Sequence, residues 1–105
     1  MLIQINGAEI HSTDAINDHV NKTVNHALNV FERQVTRVEV HLHDDNANKG
    51  GVDKRCVMEV RLSRFHTLSV EKVYEVMYNA ITKAGANLGR AVRHKIERHE
   101  AHKAK

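Results

Sequence analysis

The last part of the chain, from Met77 to Lys105, constrains the fold most. At about 100° per residue, Met77, Ile81, Ala84, Leu88, Ala91 and Val92 gather on one side of a helix, and Lys83, Asn87, Arg90, His94 and Arg98 gather on the other. A long helix with one apolar stripe needs an apolar surface to cover it. The chain has no proline to interrupt this helix. Gly85 and Gly89 fall near the packed stripe, where a missing side chain is expected to allow close approach to a sheet. Past Val92 the stripe loses definition, because Lys95 falls where a core residue would stand. The last turns, residues 97–105, are therefore expected to project as a basic tail.

The other face of this helix carries the charge. From Tyr74 onward there are seven Lys/Arg against three Glu, whereas residues 1–73 hold nine Lys/Arg against ten Asp/Glu. The whole positive excess of a chain with formal net charge +3 sits in one helix. A concentrated positive stripe turned to solvent attracts polyanions, nucleic acid foremost.

The surface that covers the helix is legible upstream. Leu2 to Asn6 alternate apolar and polar and end at Gly7, a short strand and turn. Ser12 or Thr13 then caps a helix with Asp14 in its first turn. Its core residues Ile16, Val20, Val24, Ala27, Leu28 and Phe31 recur every three or four positions, and its outer face is mostly Asn, His and Thr. From Val35 to His43 the period changes to two, with Val38, Val40 and Leu42 inward. Asp44 to Asp53 reads as a loop that turns at Gly50-Gly51. Cys56, Met58, Val60 and Leu62 form a third alternating set, and His66 to Glu71 a fourth with Leu68 and Val70 inward. The order is β-α-β-β-β-α. One apolar sheet face and two apolar helix stripes are complementary, which predicts an α+β fold with a four-stranded sheet and both helices on one face.

At 105 residues the chain makes one domain, 1–105, with a single core. One cysteine allows neither an internal disulfide nor a cysteine-based zinc site, which suits a reducing cytoplasm. No apolar run approaches the ~20 residues that span a bilayer, so no membrane partner is expected.

Other candidate constellations are weaker. His41-x-His43 lies on an exposed strand face before Asp44 and Asp45, with ligands of metal-binding type; nine histidines make such neighbours expected by chance, and no metal site is assigned. His94, His99 and His102 would add charge to the basic face in mild acid. Lys49, Lys54 and Arg55 around two glycines lack the order of a P-loop; they read either as a plain flexible hairpin or, alternatively, as a second phosphate contact beside the helix. Cys56 falls on the apolar face and reads as a buried structural thiol. Phe31 and Tyr78 are assigned to packing, which leaves no aromatic platform for unpaired bases. No acid–base pair or nucleophile set has a defensible geometry, so no enzyme, small-molecule substrate or cofactor is predicted.

Three stretches carry a family likeness. Ile5-Asn6-Gly7 with Ile10, Thr13, Ala15, Ile16 and Val20 opens the chain, with Phe31 at the end of the first helix. Met77-Tyr78-Asn79-Ala80-Ile81 starts the last helix, followed by Leu88, Arg90, Val92 and the pair His94-Lys95. Lys49-Gly50-Gly51-Val52-Asp53-Lys54-Arg55-Cys56 looks like a variant branch. Over nearly its full length the chain resembles the short ribosome hibernation factors, the family of hibernation-promoting factor and ribosome-associated inhibitor A. The resemblance implies a stress-response protein that occupies the small ribosomal subunit near the decoding region and blocks messenger and transfer RNA. The chain departs from the family's basic pattern at Asn17, Thr23 and Asn87, and His26 is at best partly charged. Each lost phosphate contact weakens binding and flattens its salt dependence.

The expected function is translation silencing through ribosomal RNA phosphates, with no catalysis. Lys83, Arg90, Arg93, His94, Lys95 and Arg98 are the main expected contacts, and Lys54 and Arg55 secondary ones. A general structured-RNA module is the first alternative, because helix, three strands and helix is also the order of double-stranded RNA-binding domains. A protein-interaction module that ignores RNA is the second.

Overall fold

The computed structural model describes residues 1–7, 13–44, 53–64 and 67–103, with side chains as far as Glu100. Strand β1 (Leu2–Asn6) precedes helix α1 (Asp14–Leu28), and a 3-10 turn over Asn29–Phe31 leads to β2 (Val35–Asp44). Then come β3 (Lys54–Leu62), β4 (Leu68–Tyr74) and helix α2 (Met77–Lys103). The strands lie in the order β1-β2-β3-β4. β1 runs parallel to β2, and the other neighbours are antiparallel. A parallel pair needs a crossover, and α1 supplies it.

Alternation in the sequence becomes a two-sided sheet. Val38, Val40, Leu42, Cys56, Met58, Val60 and Leu62 all point to one side, where they meet Val20, Val24 and Leu28 of α1 and Ile81, Ala84, Leu88 and Val92 of α2. Both helices therefore cover the same face in one core, as the complementary patterns require. Cys56 is fully buried within it. Thr13 starts α1: its Oγ1 accepts a hydrogen bond from the Ile16 amide at 3.1 Å. Asp14 occupies the first turn. Ile10 and Ser12 lie outside the described residues.

The structure departs from the sequence expectations in four places. Val35 pairs with Leu62 and Arg37 with Arg61, so Thr36 is an extra residue in β2. This bulge reverses the alternation, and Val35 reaches the core alongside Val38. The Thr36 hydroxyl donates to the Arg61 carbonyl at 2.9 Å and holds the bulge. β4 runs on to Tyr74, with half-buried Lys72 opposite Cys56 on the core side. A lysine there hid the strand's continuation, but its aliphatic stem can lie along apolar surface. His66 is outside the described residues. α2 stays packed as far as Ile96, one turn beyond Val92. Lastly, Gly85 and Gly89 face α1 rather than the sheet.

The β2–β3 ladder ends at the pair Asp44 and Lys54. Lys54 Nζ lies 3.2 Å from Asp44 Oδ1 and 2.9 Å from Asp53 Oδ1. The hydrogen bonds that Lys54 donates to these two carboxylates, Asp53 first, raise its pKa above the ordinary value. Asp45, Lys49 and the Gly50-Gly51 turn lie outside the described residues. No helix among the described residues is long and apolar enough to cross a membrane.

Candidate nucleic-acid interface

The helices pack closely enough to make a groove. A Cβ built on Gly89 would lie 3.3 Å from the Ala27 carbonyl oxygen, and one on Gly85 would collide with Thr23. Small residues four apart on each helix, Thr23 with Ala27 and Gly85 with Gly89, thus form a floor. Above it is a groove of about 530 Å³. His19, Lys22 and His26 line it from α1, and Thr82, Ala86, Arg90 and Arg93 from α2.

Among the described residues, no acidic side chain lines this groove. Lys22, Arg90 and Arg93 bring fixed positive charge from opposite walls, and two histidines add charge when protonated. Opposed cations over a floor without competing carboxylates suit a chain of phosphates, and Arg adds two-pronged contacts to each one. Arg90 Nη2 donates to Asn87 Oδ1, which steadies the guanidinium. His19 Nε2 lies 2.9 Å from Thr82 Oγ1, a bond that ties the two walls together.

The expected contact residues do not share one surface. Arg90 and Arg93 lie in the groove. Lys83, His94 and Arg98 are exposed on α2 without lining it, and Lys95 is half-buried. His99 lines a separate hollow with Arg33, Gln34, Ser63, Arg64, Ile96 and Glu100. Lys54 is held between two carboxylates at the end of the β2–β3 ladder. Arg55 projects from the face of the sheet opposite the helices, with its Nη1 3.3 Å from Glu71 Oε1. His19 and Lys22 do not stand out in the sequence, where α1's outer face is mostly neutral, and His26 enters there only as a partly charged position of the family's basic pattern. Their spacing of three and four places them on one stripe, and that was the available signal.

On the open face of the sheet His41 does not join His43. The ligand atoms of Glu39, His41 and Glu59 lie within 4.8 Å of one another, the one group among the described residues with metal-ligand spacing. Arg37 Nη2, 2.9 Å from Glu39 Oε1, already sets a cation on this group. His41 Nε2 is 3.7 Å from Glu39 Oε2. Cys56 is inert by its surroundings, since burial pushes its pKa up to about 12.

The architecture is shared with solved structures. A ribosomal subunit interface protein from Coxiella burnetii aligns over 100% of both chains with a TM-score of 0.75 and 17% identity. The N-terminal domain of Protein Y from Thermus thermophilus aligns over 90% of this chain and 98% of its own, with a TM-score of 0.73 and 24% identity. At those identities the likeness establishes the fold. No curated protein matches the sequence. The sequence pattern of the family described as sigma 54 modulation protein / S30EA ribosomal protein, however, matches residues 3–100.

The chain belongs to this family. Members of the S30EA family are ribosome-associated factors and not enzymes.

Proposed function

We propose that this S30EA-family chain is a hibernation factor that acts in the cytoplasm on the small ribosomal subunit. It lies near the decoding region and excludes messenger and transfer RNA, and the α1–α2 groove grips ribosomal RNA phosphates. The observation that carries this reading is the pairing of Lys22 on one wall with Arg90 and Arg93 on the other, in a groove with no acidic lining residue among the described residues. The contact is to shape and phosphate, which suits folded RNA whose deep groove hides its base edges.

Sedimentation with ribosomes and separated subunits through sucrose gradients tests the proposal. Co-migration with the small subunit is expected. For three phosphate contacts, affinity should fall roughly 20- to 40-fold between about 50 and 200 mM salt. A protein that stays at the top of the gradient at low salt, or binds free duplex RNA as tightly as subunits, overturns the reading. Binding that survives ribonuclease and ignores salt would point instead to a protein partner.

A further inference from the structure

Tyr78 does not behave as a packing residue. It is 41% exposed, one of few large apolar side chains at the surface. It stands one turn before Thr82, on the stripe that continues through Ala86 and Arg90 as the α2 wall of the groove. His19, on the opposite wall, holds it in place. The His19 and Tyr78 ring centroids are 5.0 Å apart with the planes at 41°. His19 Nε2 also lies 3.3 Å from the Tyr78 carbonyl oxygen, and the Thr82 hydroxyl donates to that oxygen at 2.9 Å. An exposed aromatic ring braced at the end of a cationic groove is the combination that binds single-stranded nucleic acid: phosphates follow the charges and a base stacks on the ring.

We propose that Tyr78, braced by His19, is a stacking platform for an unpaired nucleobase, so that the groove takes RNA with at least one base outside a duplex. The inference rests on the phosphate-groove reading and adds the class of RNA. Tyr78 to Arg90 spans about 18 Å along the helix, enough for a few nucleotides between the stacked base and the arginine contacts. A continuous duplex shows no base face along its length and would leave the ring unused.

The chain has no tryptophan and two tyrosines, so a Tyr74→Phe background leaves Tyr78 as the sole tyrosine emitter. Single-stranded RNA of about ten nucleotides should quench its emission, and a blunt duplex of the same sequence should not. Tyr78→Ala should weaken binding to that single strand and to small subunits by about 5- to 150-fold. Tyr78→Phe should retain binding, and thermal melts confirm that each variant is folded. Unchanged emission with bound single strand, in a protein whose subunit binding is lost on Arg90→Glu/Arg93→Glu substitution, overturns the platform and leaves the phosphate reading intact. Quenching by the single strand without any subunit binding upholds the platform and removes the ribosomal reading. Failure to bind either RNA or subunits overturns both.

Discussion

Gly85 of α2 faces Thr23 of α1 at such short range that a Cβ on the glycine would lie 2.3 Å from Thr23 Cγ2. The approach of the two helices is thus set by small residues in contact, Gly85 against the Thr23 methyl and, one turn on, Gly89 against Ala27.

Gly85→Ala should destabilise the fold by about 1–3 kcal/mol, because overpacking outweighs the gain in helix propensity. Adding Thr23→Ala removes the obstructing methyl and should restore most of the loss. Gly89→Ala, 3.3 Å from the Ala27 carbonyl oxygen, should be milder than Gly85→Ala. Denaturant melts of the single and double variants measure the coupling; additive effects would mean that the helices are not in contact there.

Charge reversal at Arg90 and Arg93 should abolish co-sedimentation with small subunits while leaving the melting curve unchanged. Arg90→Ala alone should lower the salt slope by about one contact. Arg55→Ala, on the opposite face of the sheet, should leave the slope as it is. Gradient fractions collected across a salt series give the comparison.

Cys56 should resist thiol reagents in the folded protein and react once it is unfolded. Its pKa is raised from 9.0 to about 12 by burial. The unfolded chain then releases the thiol proton first. The thiol's contribution to stability is intact below about pH 9 and declines as pH rises toward about 12, by up to ~1.4 kcal/mol per unit. Cys56→Ala should flatten that decline in denaturant melts at alkaline pH.

Thr13→Ala removes the acceptor for the Ile16 amide at the start of α1. A loss of about 1 kcal/mol is expected. Thr13→Ser should recover it, and a melt that does not distinguish the two would deny the cap.

Local patterns made much of the fold legible. The spacing of Val20, Val24 and Leu28 located α1, and the alternation of Cys56, Met58, Val60 and Leu62 located β3 and its buried face. Local patterns fail where a neighbour decides. Thr36 looks like any strand residue until its register with β3 shows two residues opposing one. Lys72 breaks an apolar pattern that its stem does not break in space. The groove was only half legible: Arg90 and Arg93 stood out by charge, but Lys22 and the two histidines gain meaning only when α1 lies against α2. Tyr78 likewise has the character of a core residue in sequence, and its place beside His19 is seen only once α1 lies against α2.

Because each wall of the groove comes from a different helix, neither half is a weaker version of the whole. α1 is synthesised early and α2 only after three intervening strands, and domains fold as synthesis proceeds from the N-terminus. A nascent chain halted before α2 has one wall and no floor, since Thr23 and Ala27 then have no glycines to meet. The paired cations come into being only once both helices are made and docked.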